Sequence, residues 1–281
     1  MDRVLLKSFS KLNIGLKIFN KREDGYHNIH TVFQEIDFHD NIILKKRNSG
    51  CHFTSNVDWL SNNESNLCVK AWQFLFDRFD IAGIDIELQK NIPPGSGLGG
   101  GSSNAACVLK GLSQLYNLNI PLTDLLKIGS LIGADVPFFI KGGCQIGSGI
   151  GDQLVKVDYP IKNTFLLVMP EFRIGTKATF KKIKKILDDN QEKVNFADFI
   201  EKDKFLFKFF ENDFETIIVP AYPEIGQIKK KLLNHGAVFS SLSGTGSTVY
   251  GVFDDEAKAI SDESLFKVDY KTCIAHPVKI V

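Results

Sequence analysis

The run Pro93-Pro94-Gly95-Ser96-Gly97-Leu98-Gly99-Gly100-Gly101-Ser102-Ser103-Asn104-Ala105-Ala106 constrains this chain more than any other stretch. Glycines permit positive φ and let the backbone approach a ligand closely. The small residues that follow read as a helix start, whose free N–H groups and dipole favour negative charge. One helix dipole contributes only about 0.3–1 kcal/mol per charge at an exposed end. A useful triphosphate site therefore needs several N–H groups acting together, with cations drawn from elsewhere in the chain. The run predicts a phosphate-handling loop between a strand and a helix.

A chain of 281 residues, 43% of them hydrophobic, can bury a core without covalent staples, as one large domain or two modest ones. Its 34 Lys and Arg nearly cancel 33 Asp and Glu, and the net charge of +1 gives no reason to expect nucleic acid or an anionic membrane as the main partner. Cys51, Cys68, Cys107, Cys144 and Cys273 are odd in number and scattered, so they read as reduced, mostly buried thiols and not as a disulfide framework or zinc site. Residues 1–15 alternate apolar and polar instead of forming a targeting segment, and no apolar run reaches ~18 residues. A cytoplasmic location is expected, with a small molecule as the partner.

The first ninety residues read as strands with turns, at 4–10, 12–19, 29–37, 41–46 and 84–89. One helix interrupts them at 66–79, where Leu67, Ala71, Phe74, Leu75 and Phe79 hold helical spacing. The glycine run follows a strand ending near Lys90. A helix should then start near Ser102, where serines offer cap oxygens, and run to about Tyr116. Residues 122–131 read as a second helix, with Thr123 its cap candidate and Gly133 its end ahead of Asp135-Val136-Pro137. Segments 145–147 and 153–157 look like a hairpin. Tyr159-Pro160 breaks the pattern, dividing the chain into domains 1–158 and 159–281. Beyond it, helices are predicted at 176–187, 196–200, 205–210 and 222–234, and strands at 165–169, 237–241, 248–253 and 270–275. That is an α+β arrangement with a helix-backed sheet. The phenylalanine-rich stretch 196–214 reads as core at helical spacing, with a ligand groove as the alternative.

Gly95 to Gly100 formally satisfies G-x-G-x-x-G, but a dinucleotide fingerprint wants its glycines directly off a strand, with helix and parallel strand to follow. Here Pro93-Pro94 intervenes and the segment after the helix reads as another helix. A Walker loop is excluded because no Lys-Ser or Lys-Thr closes the run, and protein kinases need H-R-D and D-F-G motifs that are missing. P-x-G-x-G-L-G-G-G-S-S-N-A-A resembles the second motif of the GHMP kinases, the family of galactokinase, homoserine kinase and mevalonate kinase, where the loop wraps the ATP phosphates. Ser240-Ser241-Leu242-Ser243-Gly244-Thr245-Gly246-Ser247 resembles that family's third motif. Three further segments resemble the branch of the family that acts on a cytidylated methylerythritol. They are Ser10-Lys11-Leu12-Asn13-Ile14-Gly15-Leu16, Arg22-Glu23-Asp24-Gly25-Tyr26-His27 and Leu131-Ile132-Gly133-Ala134-Asp135-Val136-Pro137-Phe138-Phe139. Asn212-Asp213-Phe214-Glu215 fits the same branch, so the resemblance covers nearly the whole chain.

The resemblance implies a two-domain GHMP kinase fold, with a ribosomal-S5-like N-terminal domain and a ferredoxin-like C-terminal domain. It implies ATP-dependent phosphorylation of the acceptor's 2-hydroxyl, a step in non-mevalonate isoprenoid precursor synthesis, with ATP and Mg2+ as cofactors. Asp135 becomes the base that takes the hydroxyl proton; by residue alone it could equally be a turn aspartate accepting backbone N–H bonds. Lys11 becomes the catalytic lysine, against the alternative of a solvated strand residue. Asn13, on the same face, would contact substrate. Tyr26 and His27 would grip the cytidine, and Phe180, in Gly175-Thr176-Lys177-Ala178-Thr179-Phe180, would stack on cytosine with Thr176 beside it; a hairpin tip and core packing are the alternatives. For ATP, the run Pro93 to Ser103 would hold phosphate, and Asn66 and Lys90 resemble positions lining the adenine, though either could be a cap or surface residue. Ser102 is the candidate magnesium ligand. Lys181, Lys182, Lys184 and Lys185 read as a solvated helix face.

Overall fold

The computed structural model describes residues 2–159, 161–183, 194–201 and 204–278. In chain order the elements are β1 (Arg3–Lys21), β2 (His27–Arg47), β3 (Cys51–Ser55), α1 (Leu67–Phe76), β4 (Gly83–Gln89), α2 (Gly100–Leu115), α3 (Leu122–Ile132), α4 (Val136–Lys141), β5 (Cys144–Ser148) and β6 (Gln153–Lys156). They continue with β7 (Thr164–Met169), α5 (Thr176–Ile183), β8 (Ile200–Glu201), β9 (Lys204–Phe205), α6 (Glu215–Ala221), α7 (Pro223–Asn234), β10 (Phe239–Leu242), β11 (Val249–Phe253), α8 (Glu256–Glu263) and β12 (Lys271–Ala275). Two compact units result: Met1–Ser10, His39–Pro93 and Gly99–Gly142 form the first, and Lys11–Phe38, Pro94–Leu98 and Gly143–Val281 the second. Strands β1 and β2 contribute to both. The division expected after residue 158 falls within the second unit, between β6 and β7.

In the first unit, the 41–47 part of β2 pairs antiparallel with β4, setting Ile42 opposite Leu88 and Leu44 opposite Ile86, while β3 pairs parallel with β4. Alternation buries Ile42, Leu44, Ile84, Ile86 and Leu88 on one face. Helix α2 is buried along nearly its whole length, from Ser103 through Leu109 and again at Gly111, Leu112 and Leu115, as befits a helix packed on several sides. It packs against α1, α3 and α4. Gly111 lets it close on the strands, because a Cβ there would stand 2.4 Å from Leu6 and 2.6 Å from Leu44.

In the second unit, residues 31–34 of β2 pair antiparallel with β5, and β5 with β6. A separate four-stranded antiparallel sheet runs β10-β11-β7-β12. Every residue of β7 and β11 is buried, so these central strands read as continuous apolar runs. Helices α7 and α8 pack on this sheet, and α6 on α7. The core joins Leu166, Val168, Val249 and Phe253 to Phe214, Ile218, Ile225, Ile228 and Leu232.

Several boundaries depart from the sequence expectation. The strands expected at 4–10 and 12–19 are one, β1, and those at 29–37 and 41–46 are one, β2. Serine, lysine and asparagine sit in a strand buried on both sides, which hides its continuity from a wet-face, dry-face pattern. Strand β3 and helices α4, α6 and α8 were not anticipated, being short. Stretches 196–200 and 205–210 are not α-helices: the phenylalanines stack through 3-10 turns at Phe196–Phe199 and Phe207–Phe209 with a β8–β9 pairing. Helix α5 is described to Ile183; the rest of the predicted helix, with Lys184 and Lys185, lies outside the described residues. No helix among the described residues is long and apolar enough to cross a membrane. All five cysteines are free.

Candidate active site

The first unit carries the helix half of the glycine run. Helix α2 begins at Gly100, not near Ser102, and its N-cap is Gly99 in the left-handed region at φ 71° with no side-chain cap. The serines were expected to cap; instead they lie inside the first turn. Ser103 is buried, its hydroxyl shared with Ser8 at 2.7 Å and bonded to the Phe9 carbonyl. The first-turn N–H groups are thus left without a side-chain cap, the arrangement that suits an anion. Thr123 likewise does not cap α3, whose N-cap is Pro121.

Ser102 points elsewhere: its Oγ lies 3.7 Å from where a Cβ on Gly133 would stand, which brings the glycine run beside the Gly133–Ala134–Asp135 turn. Asp135 is the N-cap residue of α4, with Pro137 in that helix's first turn, yet its carboxylate makes no capping bond. The side chain is half-buried and has no hydrogen bond or ion pair among the described residues. A turn aspartate that merely ties down backbone N–H groups would show such a bond.

Lys90 and Asn66 have structural partners. Asn66 caps α1, its Oδ1 accepting from the Cys68 N–H at 2.9 Å while Nδ2 donates to the Ser61 carbonyl. Leu67, next to it, packs 3.7 Å from the Cβ position of Gly101. Lys90 is nearly buried and paired with Asp40, and its Nζ lies 2.9 Å from the Cβ position of Gly100. Asp40 is 0% exposed and accepts from Lys90 Nζ, the Asn91 and Ile92 N–H groups at 2.7 and 2.8 Å, and Asn104 Nδ2 at 2.9 Å. Nothing in the sequence reading singled out Asp40.

The second unit carries the other half, Pro94 to Leu98, and here three motifs meet. Lys11 is 4% exposed; its Nζ donates to Asn13 Oδ1 and to the Gly97 carbonyl at 2.9 Å. Ser243, in the third motif, donates to the same carbonyl at 2.9 Å, and Thr248 N–H donates to the Ser96 carbonyl at 3.1 Å. Gly97 has φ 79°, and a Cβ on it would stand 1.9 Å from the Ser243 carbonyl oxygen, so only glycine fits. Asn13 is buried, as is Tyr250, whose hydroxyl donates to the Asn13 carbonyl at 2.9 Å; burial holds the Tyr250 phenol well above its ordinary pKa. Asn212 and Glu215 hold the third motif in place. Asn212 Nδ2 donates to the carbonyls of Leu242 and Gly244, both at 2.8 Å, and Glu215 Oε1 accepts from Ser241 Oγ and Leu242 N–H. Only their place in a quoted motif hinted at this.

The residues expected at the base-binding end are also in the second unit. His27 is buried and stacks on Phe180 with centroids 5.4 Å apart, and Phe180 meets Phe214 edge-on at 4.8 Å. Tyr26, by contrast, is 59% exposed at the hairpin tip. Thr176 Oγ1 lies 3.2 Å from Thr245 Oγ1, which ties the start of α5 to the third motif. The structure thus joins Lys11, Asn13 and Pro94 to Leu98 in one unit, with His27 beside Phe180. It joins Gly99 to Ser103, Asp135, Asn66 and Lys90 in the other. Burial pushes the Cys107 and Cys144 thiols up to about 12, which leaves them poor nucleophiles.

Residues 66–143 match the GHMP kinases N terminal domain, and residues 181–263 the GHMP kinases C terminal domain. The chain is 38% identical over 284 residues to 4-diphosphocytidyl-2-C-methyl-D-erythritol kinase of Alkaliphilus oremlandii, covering 96% of this chain and 95% of the relative. It is 39% identical over 262 residues to the protein of that name from Thermodesulfovibrio yellowstonii, covering 90% of each. A crystal structure of 4-(cytidine 5'-diphospho)-2C-methyl-D-erythritol kinase matches with a TM-score of 0.83 at 26% identity, over 98% of this chain and 100% of that one. Homoserine kinase from Cytophaga hutchinsonii, 18% identical with a TM-score of 0.73 over 99% and 95% of the two chains, shares the fold. The chain belongs to the GHMP kinase family, in its group of 4-diphosphocytidyl-2-C-methyl-D-erythritol kinases.

Proposed function

We propose that this chain transfers the γ-phosphoryl group of ATP to the 2-hydroxyl of 4-diphosphocytidyl-2-C-methylerythritol. The observation that carries the reading is the half-buried Asp135 carboxylate, without a partner among the described residues and on the turn beside Ser102. Phosphoryl transfer asks the protein mainly for positioning, charge stabilisation and a group to take the alcohol's proton. Asp135 takes that proton; the hydroxyl oxygen bonds to the γ-phosphorus as the bond to the β,γ-bridging oxygen breaks, and ADP leaves. Lys11 offsets charge on the transferring group and orients the acceptor, with Asn13 beside it. The N–H groups of the glycine run, from Pro93 through Ser103, hold the phosphates; Asn66 and Lys90 line the adenine side, where their polar groups also serve the fold.

Magnesium fits the donors present. No group of three or more His, Cys, Asp or Glu that could hold a metal occurs among the described residues. That suits an ion which keeps its waters and rides on nucleotide phosphates with one or two protein oxygens. Ser102 would hold it, with Asp135 nearby and left to act as the base. Bound with ATP, it supplies neutralisation of phosphate charge. Tyr26, His27, Thr176 and Phe180 receive the cytidine, and the cytoplasm is where a chain of this kind would meet both substrates. Residues 1–158 and 159–281 serve as its working N-terminal and C-terminal domains.

Purified protein should consume ATP with the cytidylated alcohol in preference to homoserine, mevalonate or galactose. Asp135→Asn should lose about 10²–10⁴-fold in kcat, the usual contribution of a general base, while still binding ATP. Equal turnover of homoserine, or an Asp135→Asn variant at full rate, would overturn the reading.

A further inference from the structure

Beneath Lys11 lies a chain of buried hydrogen bonds that runs back to a second residue of the same strand. Thr31, on β2, is 0% exposed. Its Oγ1 lies 2.6 Å from the Gly15 carbonyl and 3.0 Å from Asn13 Nδ2, and Asn13 Oδ1 receives Lys11 Nζ. The donors in this chain can be ordered without seeing a hydrogen. A backbone carbonyl only accepts, so the single Thr31 proton goes to Gly15. The Thr31 oxygen must then accept from Asn13, and of the two ends of an amide only the NH2 donates. The amide is thereby fixed with its oxygen toward Lys11. The flipped amide would set NH2 against an ammonium and oxygen against the Thr31 lone pair, losing both bonds at once. The Gly15 carbonyl that starts the sequence is itself set by the backbone, since Gly15 has φ 71° and a Cβ there would stand 2.7 Å from the Phe196 ring.

We infer that Thr31 is a positioning residue for phosphoryl transfer: through the Asn13 amide it presents a fixed acceptor to Lys11 and so sets where the ammonium sits. This rests on the role given to Lys11 above. Thr31 is too deeply buried to meet substrate, and nothing in the sequence marked it. A valine there keeps the shape and removes the hydroxyl, leaving the Asn13 NH2 without its acceptor and the amide free to turn.

The test is single-turnover phosphoryl transfer with ATP and the cytidylated alcohol, measured per folded protein, in Thr31→Val, Thr31→Ser, Asn13→Ala, Lys11→Met and the Thr31→Val/Asn13→Ala double variant. Thr31→Val should slow transfer roughly tenfold to a hundredfold, the range expected when a buried donor loses its partner, with KM for ATP unchanged. Thr31→Ser should recover most of the rate, because it restores the hydroxyl. In the Asn13→Ala background the Thr31→Val change should add nothing, since the residue it acts through is gone. A wild-type rate in Thr31→Val, equal losses in the valine and serine variants, or additive losses in the double variant would overturn the inference while a dead Lys11→Met left the proposed function standing. A Lys11→Met variant at full rate would instead remove the role of Lys11, and this inference with it.

Discussion

Two glycines of the same loop differ in one respect that can be measured. Gly95 and Gly97 both hold positive φ, 64° and 79°, so alanine at either pays the left-handed strain of an L-residue, roughly 1–2 kcal/mol. Their surroundings differ. A Cβ at Gly95 meets only Arg173 Cβ at 3.7 Å, an ordinary contact, whereas at Gly97 it meets the Ser243 carbonyl oxygen at 1.9 Å and the Gly246 nitrogen at 3.2 Å. Neither neighbour is a flexible side-chain end, so the backbone must part. Parting breaks the bonds that converge on the Gly97 carbonyl, from Lys11 Nζ and Ser243 Oγ. With about 0.5–1.5 kcal/mol for the neutral bond and about 1.5–3 for the charged one, added to the strain, Gly97→Ala should cost roughly 3–6.5 kcal/mol in all. Gly95→Ala should stay near the strain alone. Urea unfolding followed by far-UV circular dichroism gives the stability of each, and steady-state kinetics reports the loop itself. If the protein relieves the overlap by moving the loop locally, the loss shifts from stability to kcat, because the same carbonyl holds Lys11. The reasoning fails if Gly97→Ala lies within 1 kcal/mol of Gly95→Ala and keeps its kcat.

Phe180→Ala should raise KM for the cytidylated alcohol by about 5- to 150-fold, from the roughly 1–3 kcal/mol that base stacking on an aromatic contributes, and leave KM for ATP unchanged; equal changes in both would assign Phe180 to the core alone. His30 gives a pH dependence. The Phe196 N–H donates to His30 Nε2 at 3.0 Å, which needs the neutral ring, and burial lowers its pKa from 6.5 against the opposing pull of Asn195 and Asp198. The folded state therefore binds fewer protons than the unfolded one just below pH 6.5, and stability present above that value is lost as the pH falls toward the lowered pKa. Tm should drop between pH 7.5 and 5.5, and His30→Asn, which can accept the bond without titrating, should flatten part of that drop. An unchanged slope would count against it.

How much of this was legible in the sequence follows from the physics of each piece. The glycine run showed itself because backbone conformation demands that residue type, and β7 because its apolar run is unbroken. The continuity of β1 was hidden, since Ser8, Ser10, Lys11 and Asn13 are buried polar residues. Strand alternation assumes that polar means wet, and here Ser103, Asn104 and Thr31 are among the partners that take water's place. The start of α2 was misplaced for a similar reason: serine is a good cap, but a glycine already in the left-handed region opened the helix three residues earlier. Asn212 reaches its carbonyl partners across about thirty residues of sequence. No local pattern records a contact of that range. Asp135 was singled out through the resemblance, and its uncapped carboxylate is visible only in three dimensions.

With the glycine run assigned to nucleotide as proposed, the carboxylate of Asp40 has a consequence for how tightly that ligand would be held. It collects a lysine, an asparagine and two successive backbone amides just ahead of the glycine run. The chain entering that loop is therefore already confined before any ligand arrives, and its freedom was surrendered during folding. Ordering a loop on binding subtracts from affinity; here little is left to order. A glycine-rich loop is usually thought of as supple, yet a chain clamped in this way behaves more like a cast mould, in which the glycines provide shape and not slack.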